Sequence, residues 1–155
     1  MSWSASKIFP AAIVDCLGNT VAYDLNSDAF KAALFNDTIT PNQLVTSANS
    51  CYAVGVWASG GVSDASGWPA AGRSLVTVTL TDYSAATVKF DADDTVSAND
   101  TTTLASVYGT LVYNDTMAAP ADQGLSYHYF GGVQSVTSGR FTIVWHANGI
   151  VSIAL

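Results

Sequence analysis

The chain has 155 residues, of which 49% are hydrophobic and only 11% are charged, and its formal net charge is −7. This length fits one domain, and an uncharged polar surface rich in Ser, Thr and Asn favours strands and turns over exposed helices. The five lysines and arginines cannot form the basic patch that phosphate binding requires, which argues against direct binding of DNA or RNA.

The N-terminal segment starts with an apolar run that is too short for export. Residues 8–14 are apolar and Asp15 ends the run, well short of the ~18 residues that a membrane span needs. Pro10 confines a predicted helix to the residues after Phe9, and Gly18-Asn19 ends it. We expect residues 1–19 to form an N-terminal arm or short helix and residues 20–155 to form a β-sandwich domain.

Strand patterns dominate the rest of the chain. Residues 75–81 alternate between apolar and polar side chains, which is the pattern of a half-buried strand. Residues 20–25 and 29–35 are predicted to form two strands, or a strand plus a helical turn. Further strands are predicted at residues 87–91, 104–113, 125–130 and 140–146. Asn148-Gly149 predicts a tight hairpin turn that joins residues 141–145 to residues 150–154.

These patterns predict an all-β fold, namely a single-domain β-sandwich or jelly-roll-like fold with about seven or eight strands and at most one or two short helices. Trp68 lies in a loop rich in Gly and Pro at residues 60–72, where no regular element is expected and a partly exposed side chain is predicted. The predicted core contains Val76, Val78, Leu80, Phe90, Leu111, Phe141, Ile143 and Trp145.

Four closely spaced aspartates are candidate metal ligands. Asp91, Asp93, Asp94 and Asp100 supply the closely spaced oxygens that calcium prefers, but the spacing lacks the Gly and the bidentate Glu of an EF-hand. A solvated turn in which Asp caps backbone N–H groups is the favoured interpretation. We therefore expect no cofactor, with calcium as the one ion that this cluster would suit.

No catalytic motif is found around the two histidines, His128 and His146. The chain has no Gly-x-Ser-x-Gly elbow, and without glutamate no carboxylate pair is singled out. We expect structural roles for both histidines, the alternative being a metal site with an aspartate, and we expect no enzymatic activity. Cys16 and Cys51 are expected to be isolated thiols, with a disulfide as the alternative in an oxidising setting.

The aromatic residues of the predicted strands and loops allow two interpretations. They are Trp57, Trp68, Tyr127, Tyr129 and Trp145. Alternation within strands favours packing in the core for most of them, and a sugar-binding platform is the alternative.

Several motifs carry a resemblance to a group of phage proteins. They include residues 28–35 (DAFKAALF), 67–72 (GWPAAG), 88–94 (VKFDADD), 129–132 (YFGG) and 141–150 (FTIVWHANGI). In these motifs the chain resembles, over about residues 20–155, small β-rich proteins encoded among the virion genes of tailed phages, of the head decoration or minor tail protein type. The resemblance brings no catalytic residues.

This resemblance implies a non-catalytic structural protein of a bacteriophage virion, assembled in the cytoplasm of the bacterial host. Its expected partners are the major capsid protein or tail proteins and further copies of itself, without nucleic acid binding or membrane insertion. The expected function is decoration and stabilisation of the head surface, and the alternative is a minor tail or tail-fibre component that recognises host-surface glycan. Exposed apolar side chains often mark docking sites, and the candidate partner-binding residues are Trp3, Ile8, Phe9 and Trp68.

Overall fold

The computed structural model describes residues 3–19, 21–84 and 86–154, with 42% of the chain in strands and 11% in helices. This confirms the predicted all-β class. The described strands are β1 (Lys7–Ile8), β2 (Phe30–Phe35), β3 (Gly61–Val62), β4 (Arg73–Ser74), β5 (Thr79–Ser84), β6 (Thr87–Asp91), β7 (Thr95–Val96), β8 (Thr102–Asn114), β9 (Gly124–Gly139), β10 (Thr142–Ile143) and β11 (Val151–Ala154). The helices are α1 (Pro10–Gly18), α2 (Ser47–Ser50) and a 3₁₀ turn at Gly55–Ala58.

Three antiparallel sheets organise these strands. The largest has the order β1-β9-β8-β2-β3, with β4 also paired to β2. A three-stranded sheet has the order β11-β6-β5, and β10 pairs with β7. The rings of Phe30 on β2 and Phe90 on β6 meet edge-on at 4.9 Å, so the three-stranded sheet packs against the large one. More strands are found than the expected seven or eight, because five strands of only two residues each (β1, β3, β4, β7 and β10) interrupt the loops.

The predicted C-terminal hairpin is wrong. Asn148-Gly149 does form a turn, with the Gly149 N–H donating to the His146 carbonyl at 2.7 Å and with φ of 89° at Gly149. However, β11 pairs with β6 and β10 pairs with β7, so the turn does not join two paired strands. Residues 142–154 instead return antiparallel to residues 87–96, where β7 and β6 pair with the two short strands.

The N-terminal segment belongs to the core. Trp3 is 1% exposed and Phe9 is fully buried, while Ile8 is half-buried where β1 pairs with β9. Both large rings pack edge-on against Trp57 and Tyr127 at centroid distances of 5.5–6.3 Å. The expectation of an N-terminal docking arm was therefore wrong for Trp3 and Phe9, because burying two large aromatic rings in its own domain outweighs leaving them in water.

The prediction of a partly exposed Trp68 was also wrong. Its side chain is fully buried, its Nε1–H donates to the Ala32 carbonyl at 3.0 Å, and its ring meets Phe141 edge-on at 5.6 Å. The Gly/Pro-rich loop is shaped by Asp64, which accepts hydrogen bonds from the backbone N–H groups of Ser66 and Gly67 and from that of Thr103 on β8. This anchored loop holds the indole against the sheet.

The core prediction succeeds where strands are regular. Burial is confirmed for Phe90, Leu111, Phe141 and Ile143, and Val78, Leu80 and Trp145 are half-buried. Val76 is 54% exposed, so its prediction was wrong. Strand β5 begins only at Thr79, since Thr77 has φ of 55° and breaks the alternation before it. Leu75 is buried in place of Val76.

Candidate functional site

The four candidate calcium ligands do not converge. Asp91 pairs with Lys89 at 2.9 Å, and Asp93 accepts a hydrogen bond from the Thr77 hydroxyl at 2.6 Å. Asp94 accepts from the backbone N–H of Trp145, and Asp100 faces Arg140 at 3.4 Å. Among the described residues no three His, Cys, Asp or Glu side chains are grouped closely enough to hold a metal ion. These carboxylates therefore act locally, in turns and ion pairs.

The two cysteines are free thiols on neighbouring elements. Cys16 on α1 is half-buried, and Cys51 is buried with its thiol 3.3 Å from the Ser47 carbonyl oxygen. Burial raises the pKa of Cys51 to about 11, because desolvation disfavours the thiolate. The thiolate form that nucleophilic chemistry needs is thus scarce at neutral pH.

His128 lies on β9 in a largely apolar setting. Its Nε2 shares a hydrogen bond with the Ser126 hydroxyl at 2.9 Å, and its ring meets Trp145 edge-on at 5.3 Å. Desolvation by burial lowers the pKa of His128 to about 4, so the imidazole is neutral at physiological pH. A base of such low pKa is weak for proton transfer near pH 7, and Ser126 is only 1% exposed. This arrangement favours a structural contact over a nucleophile–base pair.

An open cleft of about 520 Å³ lies between residues 128–134 of β9 and residues 141–150, which follow β9 in the chain. Aromatic rings, an amide and imidazoles share its lining, contributed by His128, Tyr129, Phe130, Gln134, Trp145 and His146. The aromatic side chains among these are half-buried, whereas Gln134 and His146 are exposed. We refer to it as the β9 cleft. It combines apolar ring surface with a few hydrogen-bonding groups, as ligand sites commonly do.

The β9 cleft is uncharged over its described lining, which contains no Asp, Glu, Lys or Arg side chain. A smaller cleft of about 220 Å³ shares Ser6, His128 and Ile150 with it and adds one cation, Lys7. In a chain of net charge −7, the described lining of the β9 cleft has no acidic or basic side chain, and the adjoining cleft adds one positive charge. The β9 cleft suits a ligand without formal charge better than an ion, which would find no counter-charge there.

Helix α1 presents an apolar outer face. Pro10 starts the helix, Asn19 ends it in the left-handed conformation, and Ala12 is its buried residue. Pro10, Val14 and Leu17 lie at helical spacing i, i+4, i+7 and are exposed, Val14 by 64% and Leu17 by 80%. We call these three residues the α1 stripe.

The single charged residue of helix α1 does not lie on the α1 stripe. The one charged residue of α1 is Asp15, whose carboxylate accepts hydrogen bonds from the Ser47 hydroxyl at 2.5 Å and from the buried amide of Gln123 at 2.8 Å. Asp15 is therefore turned towards the protein. Exposed apolar side chains that lie together often mark docking sites, so the α1 stripe has the character of a surface that a partner covers.

No known protein family, curated protein or solved structure matches this chain. Among the described residues, no helix has the length and apolar character needed to cross a membrane. The candidate surfaces therefore depend on the geometry of this structure alone.

The sequence analysis predicted only some features of the α1 stripe and of the β9 cleft. The helix was predicted after Phe9, but its outer face was not considered, although the spacing of Pro10, Val14 and Leu17 is visible in the sequence. The β9 cleft contains Tyr129 and Trp145 from the proposed sugar platform, whereas Trp57, Trp68 and Tyr127 are buried elsewhere in the core. Phe130 and Gln134 join the cleft only because β9 and the C-terminal residues are folded together.

Proposed function

We propose that this chain is a non-catalytic structural protein of a bacteriophage virion, which decorates the head surface through repeated protein–protein contacts. The observation that carries the proposal is the α1 stripe, an exposed apolar helix face. The one charged residue of that helix, Asp15, is turned towards the protein. The resemblance of several sequence motifs to small tailed-phage virion proteins supports the proposal. The low charge of the surface supports it too, since few charges need to be desolvated when copies assemble.

The size of the α1 stripe favours a repeated shell as its partner over a simple dimer. Full burial of a valine or leucine side chain stabilises by about 1.5–3 kcal/mol, so covering the exposed parts of Val14 and Leu17 would contribute about 2–4 kcal/mol. Association costs about 4–15 kcal/mol in lost freedom of motion. One such contact is weak, but several copies joined on a lattice of major capsid protein gain strength by avidity.

Co-sedimentation with virions that lack the protein tests this proposal. The variant Val14→Ser/Leu17→Ser removes apolar surface from the α1 stripe without adding charge, and Val133→Ser makes the same change at a side chain on β9 that is 54% exposed. Wild type and Val133→Ser should pellet with the particles. The double variant should stay in the supernatant with an unchanged melting temperature, because both of its sites are exposed.

Two results would count against the proposal. If the double variant binds the particles as well as wild type does, the α1 stripe is not the docking face. If wild type itself fails to bind heads or tails, the chain is not a surface component of the virion.

A further inference from the structure

The β9 cleft has a lining that suits a particular ligand chemistry. Phe130 and Trp145 offer half-buried aromatic surface, and Gln134 lies four residues beyond Phe130 on the same strand with an exposed amide. An amide both donates and accepts hydrogen bonds, and an aromatic ring offers a flat apolar face. Sugar rings present the matching pattern, since they carry hydroxyl groups around a face of C–H bonds.

The absence of acidic and basic side chains from the described lining of the β9 cleft favours an uncharged ligand. Its described lining has no formally charged side chain, and His128 is neutral near pH 7. The carboxylate of an acidic sugar seated in the β9 cleft would meet no lysine or arginine in the described lining, since Lys7 lines only the adjoining smaller cleft, and desolvating an unpaired charge is costly. The Nδ1 of His146 accepts from the Asn148 N–H at 3.1 Å. A lipid or an apolar peptide would instead leave the amide of Gln134 and the Nε2 of His146 without a ligand partner where it covered them.

We propose that the β9 cleft binds a neutral glycan. Trp145 and Phe130 contact the apolar faces of the sugar rings, and Gln134 and His146 form hydrogen bonds with the hydroxyl groups. The cleft is open along its length and holds about 520 Å³, which suits a short stretch of a polymer in place of an enclosed small molecule. This binding does not depend on the α1 stripe and is compatible with a position on either the head or the tail.

Binding of the full chain to a panel of immobilised polysaccharides tests the inference. The panel contains neutral polymers (dextran, mannan, galactan, arabinan and chitin oligosaccharides) and acidic ones (alginate, hyaluronate and polygalacturonate). We expect binding to at least one neutral polymer and none to the acidic ones. Gln134→Ala should weaken that binding at least tenfold, whereas Val133→Ala, which changes an exposed neighbour outside the cleft lining, should leave it within twofold.

The role of Trp145 is tested with two variants, one that removes the aromatic side chain and one that keeps an aromatic ring. The Trp145 Nε1–H donates to the Thr95 hydroxyl at 3.0 Å, so Trp145→Ala loses a fold contact along with the ring, and Trp145→Phe keeps an aromatic surface. We expect Trp145→Phe to retain binding within about fivefold and Trp145→Ala to abolish it. Absence of binding to every neutral polymer, preference for acidic ones, or equal binding by wild type and Gln134→Ala would each overturn the inference.

Discussion

Replacing Trp3 with alanine should destabilise the whole domain, although the residue lies near the N-terminus. The indole is 1% exposed, its Nε1–H donates to the Asn36 carbonyl at 2.8 Å, and its ring meets Trp57 and Tyr127 edge-on at 6.0 Å each. Removing it leaves a cavity among aromatic rings and an acceptor without its donor. Substitutions of this kind cost about 3–5 kcal/mol, a large part of the about 5–15 kcal/mol that keeps a domain folded.

Gly109 lies against the Trp3 ring and allows a second, independent test of how tightly that ring is packed. A Cβ added at Gly109 would come within 2.5 Å of the Trp3 ring and 2.4 Å of the His128 carbonyl oxygen. Gly109→Ala should therefore destabilise by about 1–3 kcal/mol through overpacking. Gly61 is the matched control, since no atom lies within 4 Å of a Cβ placed there, and Gly61→Ala should change stability by less than about 1 kcal/mol.

Urea denaturation followed by far-ultraviolet circular dichroism measures these costs, with equal m-values confirming that the same surface is exposed on unfolding. In the Trp3→Ala background, Gly109→Ala should cost less than it does in wild type, because the ring that its Cβ would meet is gone. A loss of less than about 1 kcal/mol for Trp3→Ala would show that the N-terminal segment does not belong to the core. It would also restore the idea of a detachable arm.

Three further predictions follow from single side chains. Phe141→Ala should lower the free energy of unfolding by about 3–5 kcal/mol, since the ring supports Trp68; a cost under about 1 kcal/mol in urea titrations would contradict its burial. Asp64 accepts hydrogen bonds from three backbone N–H groups, which lower its pKa to about 2. The hydrogen bonds to the Asp64 carboxylate therefore stabilise the fold fully above about pH 4, and this stabilisation is lost as the pH falls towards 2. Thermal melts of wild type and Asp64→Ala should differ at pH 6 and converge near pH 2. Burial lowers the pKa of His128 to about 4 in the folded protein. As the pH falls from about 6.5 to 4, the unfolded chain takes up a proton on this histidine that the folded protein does not, so the free energy of unfolding of wild type should decrease over that range. Denaturation of His128→Gln should show a smaller fall over that range, and an equal fall would refute the assignment.

Local signals in the sequence were sufficient for the fold class and for several elements. The alternation at residues 87–91 coincides with β6, and the long apolar run at residues 104–113 lies within β8. Helix α1 begins at Pro10 and is followed by Asn19 in the left-handed conformation, as the helix-ending residues predicted. In each case the preference arises from a residue and its near neighbours, through side-chain alternation or the φ angles that Pro and Asn tolerate.

The candidate site was only partly predictable, because its residues meet through pairings distant in sequence. Tyr129 and Trp145 were recognised as aromatic candidates, but nothing local indicates that β9 and the residues around Trp145 form one wall. The same limit explains the N-terminal segment. Trp3 and Phe9 are as apolar as a docking arm requires, and only the position of Trp57 and Tyr127 makes them core residues.

By itself, the sequence determined that this chain is mostly β and carries few charges, because composition and period-two alternation are properties of adjacent residues. Only the tertiary structure decided which strands pair. Residues 141–145 and 150–154 were expected to pair with each other, yet β10 and β11 pair with β7 and β6. A strand pattern specifies which face is buried but not the partner, and that choice depends on how all the apolar faces are buried together. The burial of Trp68 was decided in the same way, by the carbonyl of Ala32 and the ring of Phe141, which lie far from it in sequence.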